Sequence, residues 1–188
     1  MPLDEYAEKR NFEKSPEPAA EAAEGEGRTY AIQKHDASRL HYDLRLECEG
    51  VLLSWAVPKG PSLNPADKRL AVRTEDHPLD YAGFEGAIPE DEYGGGTVMV
   101  WDTGTFENIK DTPLPQMLEE GHIEVRLEGR KLKGNWALVQ MKGRGEKNWL
   151  LIKMKDDFAD RERDITEEEP DSALTGRTME EIAEEEGD

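Results

Sequence analysis

The sequence has a single cysteine and no long apolar run. One Cys among 188 residues excludes an internal disulfide framework, and no apolar stretch approaches the roughly 20 residues of a membrane-spanning helix. The first six residues, Met-Pro-Leu-Asp-Glu-Tyr, lack the basic and apolar regions of a secretory signal. We therefore expect a soluble protein of a reducing cytoplasm with no membrane partner, and we expect Cys48 to be a buried residue without a chemical role.

Basic residues are scarce relative to acidic ones. The chain has 24 Lys and Arg against 43 Asp and Glu, a net charge of −19, which works against nucleic-acid binding by charge alone. Residues 161–188 carry 12 acids and 3 bases, and residues 1–28 carry 8 acids and 4 bases, so the ends hold most of the excess. Two explanations remain open: a high-salt cytoplasm, where ions screen repulsion between the protein and DNA, or a regulatory acidic tail.

Short alternating or apolar segments joined by turn residues predict a mainly β protein. The predicted strands are Tyr30–Gln33, Arg39–Cys48, Val51–Val57, Arg69–His77, Thr97–Trp101, Thr103–Glu107, Ile123–Leu127, Leu132–Met141 and Trp149–Met154. A short helix is predicted at Leu114–Glu120, and a capping box at Thr178–Glu181 predicts another. Roughly eight short strands with tight connections indicate a closed barrel or a sandwich.

The composition divides the chain into three parts. Residues 1–28 form an N-terminal arm and linker, with Ser15–Gly27 as a mobile linker. Residues 29–160 form the β domain, and residues 161–188 form an acidic C-terminal tail with a short helix. Within the arm, Lys9–Phe12 either folds back to bring Arg10 to a site or stays solvated, and the sequence favours the solvated arm.

The most informative stretch is Gln33–Glu47, whose second half alternates strictly. His41, Asp43 and Arg45 share one side of the predicted strand, because side chains two apart on a strand point the same way. Imidazole and carboxylate together suit Mn, Fe or Zn, and an adjacent Arg suits a phosphate or carboxylate. His35 precedes the strand as a possible third ligand. This side is either a metal and oxyanion site or simply a solvated strand face.

A second polar face is predicted further along the chain. On the Arg69–His77 strand, Arg69, Arg73, Glu75 and His77 alternate with apolar residues, and Pro78 ends the strand. Two such strands in one small domain favour a shared polar pocket. Lys59 lies in a stiff loop between them. The three glycines at 94–96 lack the helix and Lys-Ser/Thr of a phosphate loop, and His122 is predicted to be a surface residue.

Several motifs resemble the 3′-phosphoesterase domain of bacterial DNA ligase D. The first reads Gln-Lys-His-Asp-Ala-Ser-Arg-Leu-His-Tyr-Asp-Leu-Arg and spans Gln33–Arg45. The others are Ser54–Pro61, Glu75–Tyr81, Phe84–Gly86, Ile88–Glu90, Tyr93–Val98, Asn148–Lys153 and Leu174–Met179. The resemblance runs from about Leu3 to Ala183. It implies a closed β-barrel of about eight strands flanked by short helices, here standing alone rather than joined to ligase and polymerase domains.

The resemblance also implies an activity: a Mn²⁺-dependent enzyme that removes 3′-terminal ribonucleosides and 3′-phosphates from DNA ends during end-joining repair. The implied partners are DNA 3′ ends of primer-templates and a separate DNA ligase, polymerase or end-binding protein. By the same resemblance, the implied metal ligands are His35, His41 and Asp43, and the residues around the scissile phosphate are Arg45, His77 and Tyr81. Gln33, Lys59, Arg69 and Glu75 match positions that line the family's pocket, and Arg10 matches an N-terminal arginine that contacts substrate.

Two other functions remain open at this point. The same site could serve a phosphodiesterase that acts on small nucleotides, or the barrel could bind DNA ends or a ligase without catalysis. For His77, two roles are open: as an imidazolium it can stabilise charge on the phosphate, or it can donate a proton to the leaving O3′.

Overall fold

A computed structural model describes residues 3–21 and 27–187. Over these residues, nine strands and four short α-helices follow one another along the chain. The strands are β1 (Thr29–Asp36), β2 (Leu40–Cys48), β3 (Val51–Val57), β4 (Arg69–Pro78), β5 (Gly86–Ile88), β6 (Gly96–Asn108), β7 (His122–Gly129), β8 (Lys133–Gln140) and β9 (Asn148–Lys153). The helices are α1 (Asp4–Glu8), α2 (Leu114–Glu120), α3 (Ile165–Glu168) and α4 (Met179–Glu186), and a 3₁₀ helix spans Leu79–Gly83.

Eight of these strands close into an antiparallel barrel. The order around it is β1-β2-β3-β4-β9-β8-β7-β6, and β6 returns to pair with β1. The short β5 pairs with the start of β6, outside the ring. Closure leaves few free strand edges. The predicted eight-stranded barrel is confirmed, and the sandwich is excluded.

The hairpin between β2 and β3 follows from two turn residues. Glu49 and Gly50 both have positive φ, 50° and 85°, as the two central residues of a type I′ turn require. Cys48 and Val51 consequently face each other across the turn. This register decides which residues of β2 and β3 share a face.

The barrel interior is filled by large apolar side chains, including four buried tryptophans, Trp55, Trp101, Trp136 and Trp149. Tyr42, Leu44 and Leu46 of β2 belong to this core. Because alternate residues of a strand point to opposite faces, His41, Asp43 and Arg45 face the outside of the barrel wall. Buried polar residues on an outer wall require a cover. A second apolar cluster supplies part of it, formed by Tyr6, Ala31, Leu52, Tyr81 and Ala82.

Two strands differ from the sequence-based prediction. β1 extends to Asp36, so His35 lies within a strand rather than before one. β6 runs without a break from Gly96 to Asn108, where two strands were predicted. The reason is the same in both cases: β1 and β6 pair along their length, with one irregularity after Ile32. Long-range pairing of this kind has no local sequence signal.

The polar face predicted for Arg69–His77 is not continuous. The pairing of β4 with β3 shifts by one residue along the strand, and such a bulge redirects the side chains beyond it. Before the shift, Ala71 packs in the barrel core and Arg73 lies over the ring of Trp55, 5.5 Å from its centroid. After it, Glu75 and His77 turn to the outer wall, where they line a pocket.

The N-terminal segment packs against the barrel, so the favoured solvated arm is wrong. Tyr6 is fully buried, and the side chains of Arg10 and Glu17 are only 5% and 1% exposed. Part of the predicted Ser15–Gly27 linker, residues 22–26, lies outside the described residues. Of the remainder, Ser15 and Glu17 are buried.

The C-terminal segment also packs on the barrel. Ile165 and Ile182 are buried in the main core, and Trp101 Nε1 donates to the carbonyl of Glu169 at 2.7 Å. The capping box predicted at Thr178 and Glu181 is present at the start of α4. Within residues 3–21 and 27–187, no helix has the length and apolar character needed to cross a bilayer.

Cys48 was expected to be buried and is less so, and His122 was expected at the surface. Cys48 is half-buried and unpaired; burial, together with the nearby carboxylates of Glu49 and Asp76, raises the pKa of its thiol to about 11. A thiol of this kind is a poor nucleophile at neutral pH. His122 is exposed, and its Nε2 lies 3.2 Å from Glu124, as predicted for a surface residue.

Candidate metal and phosphate site

Three possible metal ligands meet on the outer face of the β1–β2 hairpin. His35 and His41 are directly opposite each other in the ladder, and Asp43 is opposite Gln33. One ligand atom from each of His35, His41 and Asp43 lies within 4.8 Å of the others. In the part of the chain that the structure describes, this is the one such group of three His, Cys, Asp or Glu side chains. The hairpin therefore assembles the predicted triad by cross-strand pairing.

Backbone carbonyls orient both imidazoles of the triad. His35 donates from Nε2 to the carbonyl of Gly94 at 2.7 Å, and His41 donates from Nδ1 to the carbonyl of Arg39 at 3.1 Å. The other ring nitrogens, His35 Nδ1 and His41 Nε2, face Asp43 Oδ2 at 3.8 and 3.2 Å, where each can carry either a proton or a metal ion. Metal-binding histidines are normally fixed by such a bond from the other ring nitrogen. The donor set, two imidazoles and one carboxylate, fits Mn, Fe or Zn.

The charge states of the triad favour cation binding. Burial alone would raise the pKa of Asp43, but the charge of Arg45 and the hydrogen bonds of His35 and His41 outweigh it and hold that pKa well below its usual range. Burial also opposes a proton on His41, yet its bond and charge interaction with Asp43 raise the His41 pKa overall. Asp43 is thus ionised, and a metal ion competes with the His41 proton.

Arg45 is held in place from behind by Gln33. The guanidinium donates from Nε to Gln33 Oε1 at 3.0 Å, and Gln33 Nε2 donates to the carbonyls of Tyr81 and Phe84 at 2.7 and 2.9 Å. Gln33 is fully buried and lies behind Arg45 rather than in the lining of the pocket. Arg45 itself faces the pocket, with Nη2 3.7 Å from Asp43 Oδ2.

His77 lies between two guanidiniums and is neutral at neutral pH. Its Nδ1 donates to the carbonyl of Glu75 at 2.9 Å, and its Nε2 accepts from Arg10 Nη2 at 3.4 Å. Burial, followed by the charges of Arg45 and Arg10, lowers the pKa of His77 well below its usual value. In the free protein, the imidazolium that was one of its two predicted roles is therefore disfavoured.

The N-terminal segment completes the site with Arg10 and Glu17. Arg10 donates from Nε to Glu17 at 2.9 Å and from Nη1 to Glu75 at 3.3 Å. Tyr81 donates its hydroxyl to Glu17 at 2.6 Å, so this phenol is committed to a carboxylate, while its ring lies 4.6 Å from the His77 ring. Two buried carboxylates thus hold Arg10 beside Arg45 and His77.

These groups surround one pocket of about 260 Å³. Its lining includes His35, His41, Asp43, Arg45, Arg10, Glu17, Glu75, His77 and Tyr81. Lys59 and Arg69 are elsewhere: they line a separate surface depression together with Lys68. The structure therefore brings together eight of the predicted site residues around one pocket, places Gln33 just behind it, and separates Lys59 and Arg69 from it.

Sequence reasoning missed Glu17 and Tyr6. Glu17 lies in a Ser-Pro-Glu-Pro stretch that has the composition of a linker, and nothing in that stretch indicates a buried carboxylate. Tyr6 stacks on Arg10, whose guanidinium carbon is 3.9 Å from the ring centroid. The one available signal was the Lys9–Phe12 cluster, in which two cations stand beside an aromatic residue within an acidic segment.

Fold and site together define a closed β-barrel whose outer wall carries a triad able to hold a metal ion next to two arginines. The chain belongs to the family of the DNA ligase D 3′-phosphoesterase domain, whose sequence profile matches residues 33–140. It is 51% identical over 185 residues to the multifunctional non-homologous end joining protein LigD of Pseudomonas aeruginosa, and it is 46% identical over 155 residues to the multifunctional non-homologous end joining DNA repair protein LigD of Mycobacterium tuberculosis.

A third relative, from Mycolicibacterium smegmatis, is 46% identical over 161 residues. The matches cover 95%, 81% and 82% of this chain, but only 22%, 20% and 21% of the respective relatives. The chain thus spans about a fifth of the length of the curated relatives it matches. It corresponds to one part of proteins described as multifunctional.

Proposed function

We propose that this chain is a Mn²⁺-dependent phosphoesterase that processes DNA 3′ ends, removing a 3′-terminal ribonucleoside and then the 3′-phosphate in end-joining repair. The observation that carries the proposal is the arrangement of His35, His41 and Asp43 within 4.8 Å of one another, with Arg45 and Arg10 lining the same pocket. A ligand triad beside two guanidiniums suits a phosphate ester. The family supplies the phosphoesterase class.

Each group has a separate task in this proposal. When bound by the triad, a divalent ion supplies Lewis-acid polarisation of a phosphoryl oxygen. Arg45, fixed by Gln33, offers its outer nitrogens to the non-bridging oxygens, where charge develops in the transition state. Arg10 offers a second guanidinium, and its bonds to Glu17 and Glu75 restrict it to one orientation.

His77 acts in this scheme as a positioning residue. Its Nδ1–H is used by the Glu75 carbonyl, and its Nε2 lone pair accepts from Arg10. A neutral ring at this position keeps the two guanidiniums in place without adding a third positive charge. Tyr81 acts similarly through Glu17, since its hydroxyl is bonded to that carboxylate.

The proposal also includes other enzymes or proteins that act on the same DNA ends. Because the chain matches about a fifth of proteins named for multifunctional end joining, we propose that a DNA ligase, a polymerase or an end-binding protein works on the ends that it prepares. The negative charge of −19 argues that such a partner, or high salt, assists its contact with DNA.

The test is a primer-template that ends in a single 3′ ribonucleotide. We expect Mn²⁺ and the protein to shorten the primer by one nucleoside, leaving a 3′-phosphate that disappears later, and we expect EDTA to stop both steps. The matched control is Asp43→Asn, which keeps a side chain of the same size without the charged ligand. Parallel reactions with 2′,3′-cyclic and 3′,5′-cyclic mononucleotides address the small-nucleotide alternative.

Three results would contradict the proposal. Equal turnover by Asp43→Asn would remove the metal assignment. Turnover of cyclic mononucleotides with an unchanged primer would favour the small-nucleotide enzyme. If Asp43→Asn still binds DNA ends and neither protein converts the substrate, the result would favour the non-catalytic barrel.

A further inference from the structure

One wall of the pocket is apolar and belongs to the loop between β5 and β6 and its neighbours. Ala37, Ile88, Tyr93 and Gly94 are among the residues that line the pocket. Ile88 is 3% exposed, but Tyr93 is 47% exposed. A large aromatic side chain that lines a pocket and keeps half of its surface in solvent stands at the mouth rather than in the floor.

Tyr93 is connected to the metal-ligand triad through its own backbone. The next residue, Gly94, has a φ of +74°, which residues other than glycine rarely adopt, and its carbonyl accepts the Nε2–H of His35 at 2.7 Å. The loop that carries Tyr93 is therefore the loop that orients a metal ligand. Only one peptide unit separates Tyr93 from the carbonyl that orients His35, so the position of the Tyr93 ring is tied to the triad.

The N-terminal segment holds the other end of Tyr93. Lys9 donates from Nζ to the Tyr93 hydroxyl at 3.4 Å, and the same ammonium donates to Glu75 at 3.2 Å. Lys9 and Arg10 also lie within cation–π range, at 4.9 and 5.3 Å from the ring centroid. The ring is thus anchored at its hydroxyl and beside two cations, while nearly half of the residue remains exposed.

The pocket is small for a site that encloses a whole ligand. Its volume of about 260 Å³ is below the roughly 300–1,000 Å³ of sites that enclose drug-sized ligands. With the terminal phosphate at Arg45 and the triad, the sugar that bears it extends toward the mouth of the pocket. The base attached to that sugar must then lie at the mouth, where Tyr93 stands.

We propose that Tyr93 is a stacking platform for the 3′-terminal nucleobase of the DNA strand. The inference rests on the proposed function, because it places the terminal phosphate at the triad. Base–aromatic stacking is tolerant of sequence, since every base has a π face. Tyr93 would therefore select a strand end that carries an intact base over one that has lost it, without reading which base is present.

The experiment measures equilibrium binding, so that it does not depend on turnover. Two fluorescent primer-templates, both with a 3′-phosphate, differ only at the last primer residue, which is a nucleotide in one and a tetrahydrofuran abasic residue in the other. Fluorescence anisotropy, read on ice with Mn²⁺ before measurable turnover, gives a Kd for each. For the wild-type protein, we expect the base-bearing end to bind about 5- to 140-fold more tightly, the range that corresponds to loss of one stacked aromatic.

Three variants separate stacking from other effects. Tyr93→Ala is expected to bind both ends with the Kd that the wild type has for the abasic end. Tyr93→Phe keeps the ring and loses only the bond from Lys9, so it is expected to keep most of the preference. Phe158→Ala is the matched control, because Phe158 is 43% exposed and lies in another surface depression; it is expected to match the wild type.

Each outcome bears on the proposal. Equal wild-type affinity for the two ends overturns the stacking inference and leaves the proposed function intact. A preference that survives Tyr93→Ala places the base elsewhere and also overturns it. If the wild type binds no better to ends with a 3′-phosphate than to matched ends with a 3′-hydroxyl, the placement of phosphate in the pocket fails, and the proposed function and the inference fail together.

Discussion

Arg10 donates from Nε to Glu17 at 2.9 Å, and this buried pair holds the N-terminal segment in the site. The side chains are 5% and 1% exposed, so the pair is largely shielded from solvent. Glu17 also accepts from Tyr81, which belongs to the 3₁₀ helix after β4. Through these two bonds a segment with the composition of a linker is held against the outer wall of the barrel.

The first prediction concerns this pair. Glu17→Ala leaves Arg10 with one buried carboxylate instead of two, and breaking a buried pair by removing one partner costs about 3 to 5 kcal/mol. We expect faster hydrogen exchange across residues 3–21 and a slower reaction on DNA 3′ ends. Glu13→Ala is the matched control, because Glu13 is an exposed glutamate in the same segment. Equal exchange in the two variants would show that Glu17 does not hold the segment.

The second prediction concerns the metal ligands. His41→Ala removes one of three ligands, and we expect Mn²⁺ affinity to fall by at least about tenfold and activity to be lost on both the ribonucleotide and the 3′-phosphate substrates. His122→Ala removes a histidine that is exposed and bonded to Glu124, and we expect no change. Calorimetric titration with Mn²⁺ measures the affinities. Wild-type affinity in His41→Ala would exclude it as a ligand.

The third prediction is a pH dependence of stability. The pKa of His77 is lowered in the folded protein, whereas an unfolded histidine has a pKa near 6.5. Below that pH the unfolded chain binds a proton on His77 that the folded protein does not bind, so stability falls as the pH falls. Between pH 7 and pH 5.5 this group removes on the order of 1 kcal/mol, and His77→Asn should lack that loss.

Urea unfolding at the two pH values measures this difference. His41, whose pKa is raised, has the opposite dependence, but it is present in both proteins and cancels in the comparison. An identical change for the wild type and His77→Asn would mean that His77 titrates normally in the fold. The same variant should retain Mn²⁺ affinity and lose rate, since His77 contacts Arg10 and Arg45 rather than the triad. Loss of Mn²⁺ binding in His77→Asn would instead make His77 a ligand.

The fourth prediction concerns the C-terminal segment. Ile182 of α4 is fully buried in the barrel core, so Ile182→Ala should lower the free energy of unfolding by about 2 to 5 kcal/mol. Leu174→Ala, at a position that is 48% exposed, should change it by less than about 0.5 kcal/mol. Because the segment is docked, cutting the chain after Asp160 should lower the melting temperature as well as remove negative charge. Equal melting temperatures would contradict the packing.

Much of the fold could be predicted because its signals are local. Alternation and turn residues located β2, β3 and β7–β9 to within about two residues at either end, and α2 and the capping box of α4 were located in the same way. The short 3₁₀ helix, β5 and α3 were not predicted, since three to five residues carry too little periodicity to distinguish them from loop. The full lengths of β1 and β6 were also missed, because hydrogen bonding between these two strands extends each of them beyond the residues whose own pattern predicts a strand.

The residues of the site were likewise predictable where the signal is local and not where it depends on the fold. His41, Asp43 and Arg45 could be predicted to share a face from spacing alone, since the period of a strand is two. Arg69, Arg73 and His77 were expected to share another face, but a bulge in β4 turns His77 away from Arg69 and Arg73. A bulge adds one residue against the partner strand, and no local pattern announces it. Lys59 and Arg69 lie outside the pocket because Lys59 follows β3 in a loop and Arg69 begins β4 ahead of the bulge; both line a separate surface depression.

By itself, the sequence determined the mainly β class, the polar face of β2 and the ligand chemistry of two imidazoles and a carboxylate, because these depend on residue type and on the period of a strand. Only the tertiary structure decided that this face is the outer wall of the barrel, that Arg10 and Glu17 from the N-terminal segment close it, and that Ile165 and Ile182 belong to the core. These contacts join residues far apart in the chain. Their free energy comes from burial and charge pairing, which arise only when the closed barrel brings the surfaces together.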